Sequence, residues 1–280
     1  MIIKINNYQF HYSLTGSQNQ PAILFLHGFM GKSHDFNAVI SLLSENFYCL
    51  AVDLPGHGKT RAIGGEDYYT MSNTAEALIT LLDDLKIEKC FLFGYSMGGR
   101  LALYMSLYFP SRFDKVVLES ASPGLKHKSE REQRLQADLQ LAYKLETSNF
   151  KDFLLNWYSQ PLFKSLKDYP DFEQLIEGKL DNNPIELAKS LRNLGTGNQP
   201  SLWQQLEKNK IPLLLLVGEY DDKFIDINTQ MASLCPTAKL EIIPKTGHNI
   251  HWENMNELVA LMKQFYCSPE TGFTQRNRVS

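Results

Sequence analysis

Ser96 stands in Gly94-Tyr95-Ser96-Met97-Gly98, directly behind the apolar run Cys90-Phe91-Leu92-Phe93. Small residues two places before and two after one serine, behind a strand, mark a nucleophile elbow. The glycines permit a strained strand-to-helix turn with the hydroxyl at its tip. A serine hydroxyl alone is a poor nucleophile, so the chemistry needs a base and an orienting acid. Asp221 in GEYDDKF and His248 in PKTGHNIHWE each follow a predicted strand further along the chain. His248 is expected to accept the Ser96 proton while Asp221 fixes its tautomer. Asp222 and His251 compete for those two roles. The first aspartate and the histidine of the Gly-His pair are preferred, with Asp222 read as a solvated loop carboxylate. The amides of Met97 and of Phe29, which follows His27-Gly28, are expected to face developing negative charge.

The elements that must carry these groups alternate regularly. Residues 2–14 read as a hairpin edge, and AILFLHGF and the apolar part of NFYCLAVDLPGHG read as buried strands. A helix is expected around 35–45. Another over 71–86 places Ala75, Leu78, Leu81, Leu82 and Leu85 at helical spacing. CFLFGYS is the central strand, GRLALYMSLY a helix that Pro110 stops, and KVVLESA a further buried strand. This alternation predicts an α/β protein with a mostly parallel sheet and helices on both faces. The chain order serine, acid, histidine is that of the alpha/beta-hydrolase arrangement.

Between residues 121 and 206 the alternation lapses into charged, amphipathic segments, with a helix near 184–194 and no convincing buried strand. An inserted helical cap explains the break. Strand character returns in IPLLLLVGEYD and AKLEIIPKTGH, followed by a terminal helix over 253–265. The expected organisation is a hydrolase-like core over 1–120 and 207–268, a helical cap over 121–206, and a mobile tail over 269–280.

Twenty-eight Lys and Arg against 31 Asp and Glu give a net charge of −3, which argues against a general nucleic-acid surface but leaves room for local arginines that bind a small anion. The four cysteines form no CxxC pair, so neither a metal cluster nor a disulfide framework is expected, and a reducing cytoplasm is the simplest location. MIIKINNYQF does not read as a secretory leader. No apolar run approaches the length of a membrane span, so no stable membrane insertion is expected. His27 is expected to hold the oxyanion loop by hydrogen bonds, His57 to stabilise a turn, and Asp53 to support its loop. SLRNLGTGNQPSLW lacks a Walker lysine and its strand–loop–helix context, so it reads as a shaped cap loop. No cofactor is expected, and partner proteins have no signature.

GYSMGGR, EREQRLQADLQLA, WYSQPLF and SLRNLGTGNQPSLW, completed by GEYDDKF and GHNIHWE, resemble the 2-succinyl-6-hydroxy-2,4-cyclohexadiene-1-carboxylate synthase (MenH) family over roughly residues 20–265. The resemblance implies a lyase: base-triggered elimination of pyruvate from 2-succinyl-5-enolpyruvyl-6-hydroxy-3-cyclohexene-1-carboxylate, in menaquinone or phylloquinone synthesis. The Ser96–His248–Asp221 unit then removes a proton, and no stable acyl-serine is required. The substrate, a small anionic intermediate, carries several carboxylates, which arginine binds through paired donors. Arg100, one helical turn beyond Ser96, is a plausible clamp, and Arg134 looks like the family's cap arginine. Related enzymes often carry a further arginine near EGKLDNN, where this chain has Lys179, which lacks the planar fork. Tyr95 and Trp157 also carry the resemblance, one orienting a substrate oxygen and the other walling the site. Lys223 is a further candidate cation. A serine esterase or carbon–carbon hydrolase using the same triad is the alternative reading.

Overall fold

The computed structural model describes residues 1–269. The expected tail lies outside the described residues apart from position 269. Nine strands form one sheet: β1 Ile2–Ile5, β2 Tyr8–Thr15, β3 Ala22–Leu26, β4 Tyr48–Val52, β5 Arg61–Ala62, β6 Cys90–Tyr95, β7 Phe113–Glu119, β8 Leu213–Gly218 and β9 Ala238–Ile243. The order is β1-β2-β4-β3-β6-β7-β8-β9, with the short β5 paired to β2. Pairings from β4 through β9 are parallel, and the β1–β2 hairpin adds an antiparallel edge.

The central strands are apolar on both sides, and their period of two divides the residues between two cores. Leu24, Leu26, Leu50, Val52, Leu92, Val116 and Leu118 point to one face, covered by α2 (Met71–Asp84) and α3 (Met97–Tyr108). Ile23, Phe25, Cys49, Ala51, Phe93 and Val117 point to the other, covered by α1 (Asn37–Leu43) and α11 (Met255–Cys267). The helix expected around 35–45 starts as a 3₁₀ turn over Ser33–Phe36 before α1.

After β3 the chain runs to β4 on one side, and β6 then returns to pair with β3 on the other. That reversal opens a crevice at the carboxyl ends of β3 and β6, the usual ligand position in open α/β sheets. The connection from β7 to β8 holds α4 (Lys128–Thr147), α5 (Phe150–Tyr158), α6 (Lys164–Lys167), α7 (Phe172–Lys179) and α8 (Pro184–Leu194). These helices build a separate apolar cluster over the crevice, with Leu145, Leu154, Tyr158, Leu166, Ile176 and Leu187 at its centre. The last part of the expected cap belongs elsewhere by packing: Leu202, Trp203 and Leu206 join the core below the sheet. Beyond β8, α9 (Asp222–Leu234) precedes β9, and α10 (Ile250–Glu253) precedes α11. No helix among the described residues is long and apolar enough to cross a membrane.

Candidate active site

Ser96 lies between β6 and α3 with φ +50° and ψ −107°, a conformation that costs on the order of 1–3 kcal/mol for a side-chain-bearing residue. The neighbouring glycines serve close approach: a Cβ at Gly98 would strike the Leu26 carbonyl, and one at Gly94 would lie 2.5 Å from the Gly98 carbonyl oxygen. The turn is further held by the Ser96 amide, which donates to the Glu119 carbonyl at 2.9 Å.

His248 Nε2 lies 3.1 Å from Ser96 Oγ, and His248 Nδ1 lies 2.6 Å from Asp221 Oδ2. Asp221 and His248 are buried. Asp221 ends the turn after β8 and caps α9, while His248 follows β9, so two neighbouring parallel strands deliver them to the same rim. Of the competitors, Asp222 is exposed. His251 turns away from Ser96: its Nδ1 lies 2.7 Å from Glu119 Oε1, and the same oxygen accepts the His251 amide at 3.2 Å.

The amides of Phe29 and Met97 donate to no group among the described residues. Met97 is the first residue of α3, where an amide has no intrahelical acceptor and the helix dipole favours negative charge. The Phe29 loop is stapled by His27, whose Nδ1 lies 2.8 Å from the Gly28 carbonyl and whose Nε2 accepts the Leu54 amide at 2.9 Å. Those partners require the neutral tautomer with the proton on Nδ1, and burial lowers the His27 pKa in agreement. Asp53 accepts amides from Ser33 at 2.7 Å and Lys59 at 2.9 Å. Burial alone would raise its carboxyl, but the amide donors of Lys59 and Ser33 bring it below the ordinary value. His57 is buried against Phe29, with Nδ1 3.2 Å from the Pro55 carbonyl. His27, His57 and Asp53 are therefore loop supports.

A cavity of about 210 Å³ opens over Ser96 and is lined by Arg100, Arg134, Lys223, Trp157 and Phe163 among others. Among the described residues its wall carries three cations and no carboxylate. Arg100 is buried, with Nη1 donating to Gln199 Oε1 at 2.9 Å and Nη2 to the Leu194 carbonyl at 3.0 Å. Both acceptors are neutral. Burial, then repulsion from Arg134, pushes the guanidinium down to about 10 despite an opposing contribution from Asp138. Arg134, on α4, donates through Nε to buried Asp138 Oδ1 at 2.7 Å, while Asp138 Oδ2 accepts the Gly197 amide at 2.9 Å. Trp157 packs edge-on against Phe29 at 5.4 Å between ring centres and walls the cavity.

Tyr95 and Lys179 occupy the other side of Ser96. The Tyr95 ring lies between His248 and His251, 5.5 and 4.5 Å away between ring centres. Burial pushes its hydroxyl well above the usual tyrosine value, which keeps it neutral. Lys179, expected as a third substrate cation, is buried and ion-paired with Asp35. Tyr95, Lys179 and Ser96 line a second cavity of about 30 Å³.

Sequence reasoning missed Asp35, Glu119, Asp138 and Gln199. Two carried a signal: Asp138 is four residues beyond Arg134 on one helix face, and Glu119 is a charge at the end of a buried strand that needs a partner. No group of described side chains has the makings of a metal site.

A family model for the alpha/beta hydrolase fold matches residues 21–255. The chain is 36% identical to a putative 2-succinyl-6-hydroxy-2,4-cyclohexadiene-1-carboxylate synthase of Bacillus subtilis, over 90% of this chain and 93% of that one. It is 32% identical to the synthase of that name from Serratia proteamaculans, over 91% and 96%. Among solved structures, MenH from S. aureus superposes with a TM-score of 0.87 at 35% identity, covering 91% of this chain and 97% of that one.

Proposed function

This chain belongs to the 2-succinyl-6-hydroxy-2,4-cyclohexadiene-1-carboxylate synthase (MenH) family within the alpha/beta-hydrolase fold, and we propose how its residues carry out the pyruvate-releasing elimination. The substrate is 2-succinyl-5-enolpyruvyl-6-hydroxy-3-cyclohexene-1-carboxylate. Going from substrate to product removes a proton from ring carbon 2 and the enolpyruvyl ether from carbon 5, while the 3-ene becomes a 2,4-diene. Carbon 2 adjoins the succinyl carbonyl, so its proton is acidified by any group that accepts charge on that oxygen.

Ser96 with His248 takes the proton, and Asp221 holds the imidazole and stabilises its cation. The C–H electron pair moves onto the carbonyl oxygen, where the unpaired Phe29 and Met97 amides receive it. The enolate then collapses: a double bond forms between carbons 2 and 3, the former 3-ene shifts to carbons 4 and 5, and the C5–O bond leaves with its pair. The released enolpyruvate is protonated to pyruvate. No covalent bond to Ser96 forms or breaks.

The observation that carries this reading is a cavity with cations and no carboxylate on its wall, opening on an unpaired pair of oxyanion donors. Among the described residues Arg100 meets only neutral acceptors, so a carboxylate of the substrate supplies the missing charge. Arg134 offers a second cation from the helical insert, which acts as the cap, and Trp157 closes the apolar wall. Tyr95, with its neutral hydroxyl, orients a substrate oxygen from the other side. Cys49, Cys90, Cys235 and Cys267 are all free, which suits work in a reducing cytoplasm. The test is pyruvate release from freshly generated enolpyruvyl substrate beside turnover of simple activated esters. Ser96-dependent release with formation of the cyclohexadiene is expected. Ester cleavage with only background pyruvate would return the chain to the hydrolases.

A further inference from the structure

The small cavity beside Ser96 is where the helical insert meets the oxyanion loop. Lys179, the last residue of α7, pairs with Asp35 Oδ2. That oxygen also accepts the Lys32 amide at 3.1 Å, closing the loop on itself. Burial would raise the Asp35 carboxyl, but the charge and hydrogen bond of Lys179 bring it below its ordinary value, so Asp35 is a carboxylate at neutral pH.

Three further contacts fasten the same segment. Asn182 Nδ2 donates to the Met30 carbonyl at 3.0 Å, and Asn182 Oδ1 accepts the Gly58 amide at 2.8 Å. Lys32 Nζ reaches Asp181 at 3.0 Å. The Met30 side chain is fully buried in the apolar cluster of the insert, not in either core of the sheet. Met30 also holds φ +59°, a backbone conformation that persists in a side-chain-bearing residue only when its surroundings enforce it. Phe29, the donor of the oxyanion amide, directly precedes it.

We propose that Lys179 and Asp35 form a latch through which the helical insert fixes the Phe29 amide in the oxyanion site, making Lys179 a positioning residue instead of a third substrate cation. A lysine carries one compact charge, and here it is already neutralised by the Asp35 carboxylate. Arg100 contrasts with it, because no carboxylate is bonded to its guanidinium. The inference concerns the assembly of the oxyanion site. It rests on the elimination reading only for the second of two readouts.

The first readout is the rate at which a small, uncharged fluorophosphonate labels Ser96. Its P=O oxygen uses the oxyanion donors, and it has no carboxylate for a clamp to hold. The second is kcat and KM for pyruvate release. Lys179→Met and Asp35→Asn are each expected to slow labelling about tenfold, a fraction of the cost of deleting a donor, and to lower kcat with KM changed less than about twofold. The double variant should be no slower than either single, as for two halves of one contact. Lys179→Arg should restore both rates.

Undiminished labelling in Asp35→Asn and Lys179→Met overturns the latch. A raised KM confined to Lys179→Met, with Asp35→Asn unaffected, returns the lysine to the substrate. Failure of the wild-type enzyme to label also overturns it, since the latch requires a hole formed before substrate arrives. Slowed labelling in both variants of a protein that releases no pyruvate leaves the latch standing and removes the elimination reading instead.

Discussion

Each of the two cavities that meet at Ser96 is lined by one buried cation, Arg100 in the larger and Lys179 in the smaller, and the fold meets the two charges in opposite ways. In the larger, Arg100 is buried against neutral acceptors, and no carboxylate lines the wall. In the smaller, Lys179 has its opposite charge inside the protein in Asp35, and the His251 ring is hydrogen-bonded to Glu119. A buried charge without a partner is costly, and a protein keeps one where a ligand will complete it. A buried lysine already paired holds elements together and has little left to offer a ligand, whereas Arg134, partly exposed and bonded to Asp138 through Nε, has a wider fork of donors. Residue type alone does not distinguish the two, because both cavities present cations beside the same serine.

The largest expected effect lies where the cavities meet. Ser96→Ala should lower kcat for elimination by on the order of 10²–10⁴-fold with the thermal midpoint preserved, measured by pyruvate release and calorimetry together. Normal turnover in the folded variant would remove the triad from the reaction. Next comes the uncompensated side: Arg100→Ala should cost about 10²-fold in kcat/KM while stability holds or rises, because a poorly neutralised buried charge is gone. A variant as active as wild type would show that the cation does not meet substrate.

The compensated side should answer in the reverse currency. His251→Leu leaves Glu119 buried and unpaired, so urea unfolding should report a loss of about 3 kcal/mol, with kcat/KM of the folded fraction reduced less than about tenfold. Adding Glu119→Gln should recover part of that loss. A stable but inactive His251→Leu protein would erase the distinction between the cavities.

The buried histidines of the loops below the site add a pH slope. Burial lowers the pKa values of His27 and His57, so below about pH 6.5 the unfolded chain binds protons that the folded one refuses. Stability is therefore full above that pH and falls as the solution is acidified, by up to about 1.4 kcal/mol per pH unit per histidine. Asp35 and Asp53, whose pKa values are depressed below the ordinary 3.8, withdraw their contribution only at lower pH. Urea titrations from pH 7 to 5 should show the histidine slope, and His57→Asn should flatten it. An unchanged slope would mean that His57 is protonated in the native protein.

Much of this site was legible before the fold was known. Ser96 could be read because an elbow needs small residues at fixed offsets, and Gly94 and Gly98 do lie where a Cβ would collide. Asp221 could be read because it follows β8, a buried and continuous apolar run, and His248 because it stands in a Gly-His pair shortly after the strand-like AKLEII. The insert was visible as a break in the alternation. Its far boundary was less so, because Leu202, Trp203 and Leu206 turn back to the core through contacts no local pattern encodes. The pairing of Lys179 with Asp35 has no local signal, because the two are 144 residues apart.

The sequence by itself determined which groups could do chemistry and in what order the elements arrive. Periodicity, glycine placement and the Ser–Asp–His order are local or one-dimensional properties, set by backbone geometry and side-chain type. Only the tertiary structure decided which charges are completed within the protein. Arg100 and Lys179 are both buried cations, but Arg100 faces an amide oxygen and a backbone carbonyl, whereas Lys179 faces a carboxylate. That difference depends on the neighbours that folding brings within a few ångströms, where the low dielectric makes the sign of each neighbour decisive.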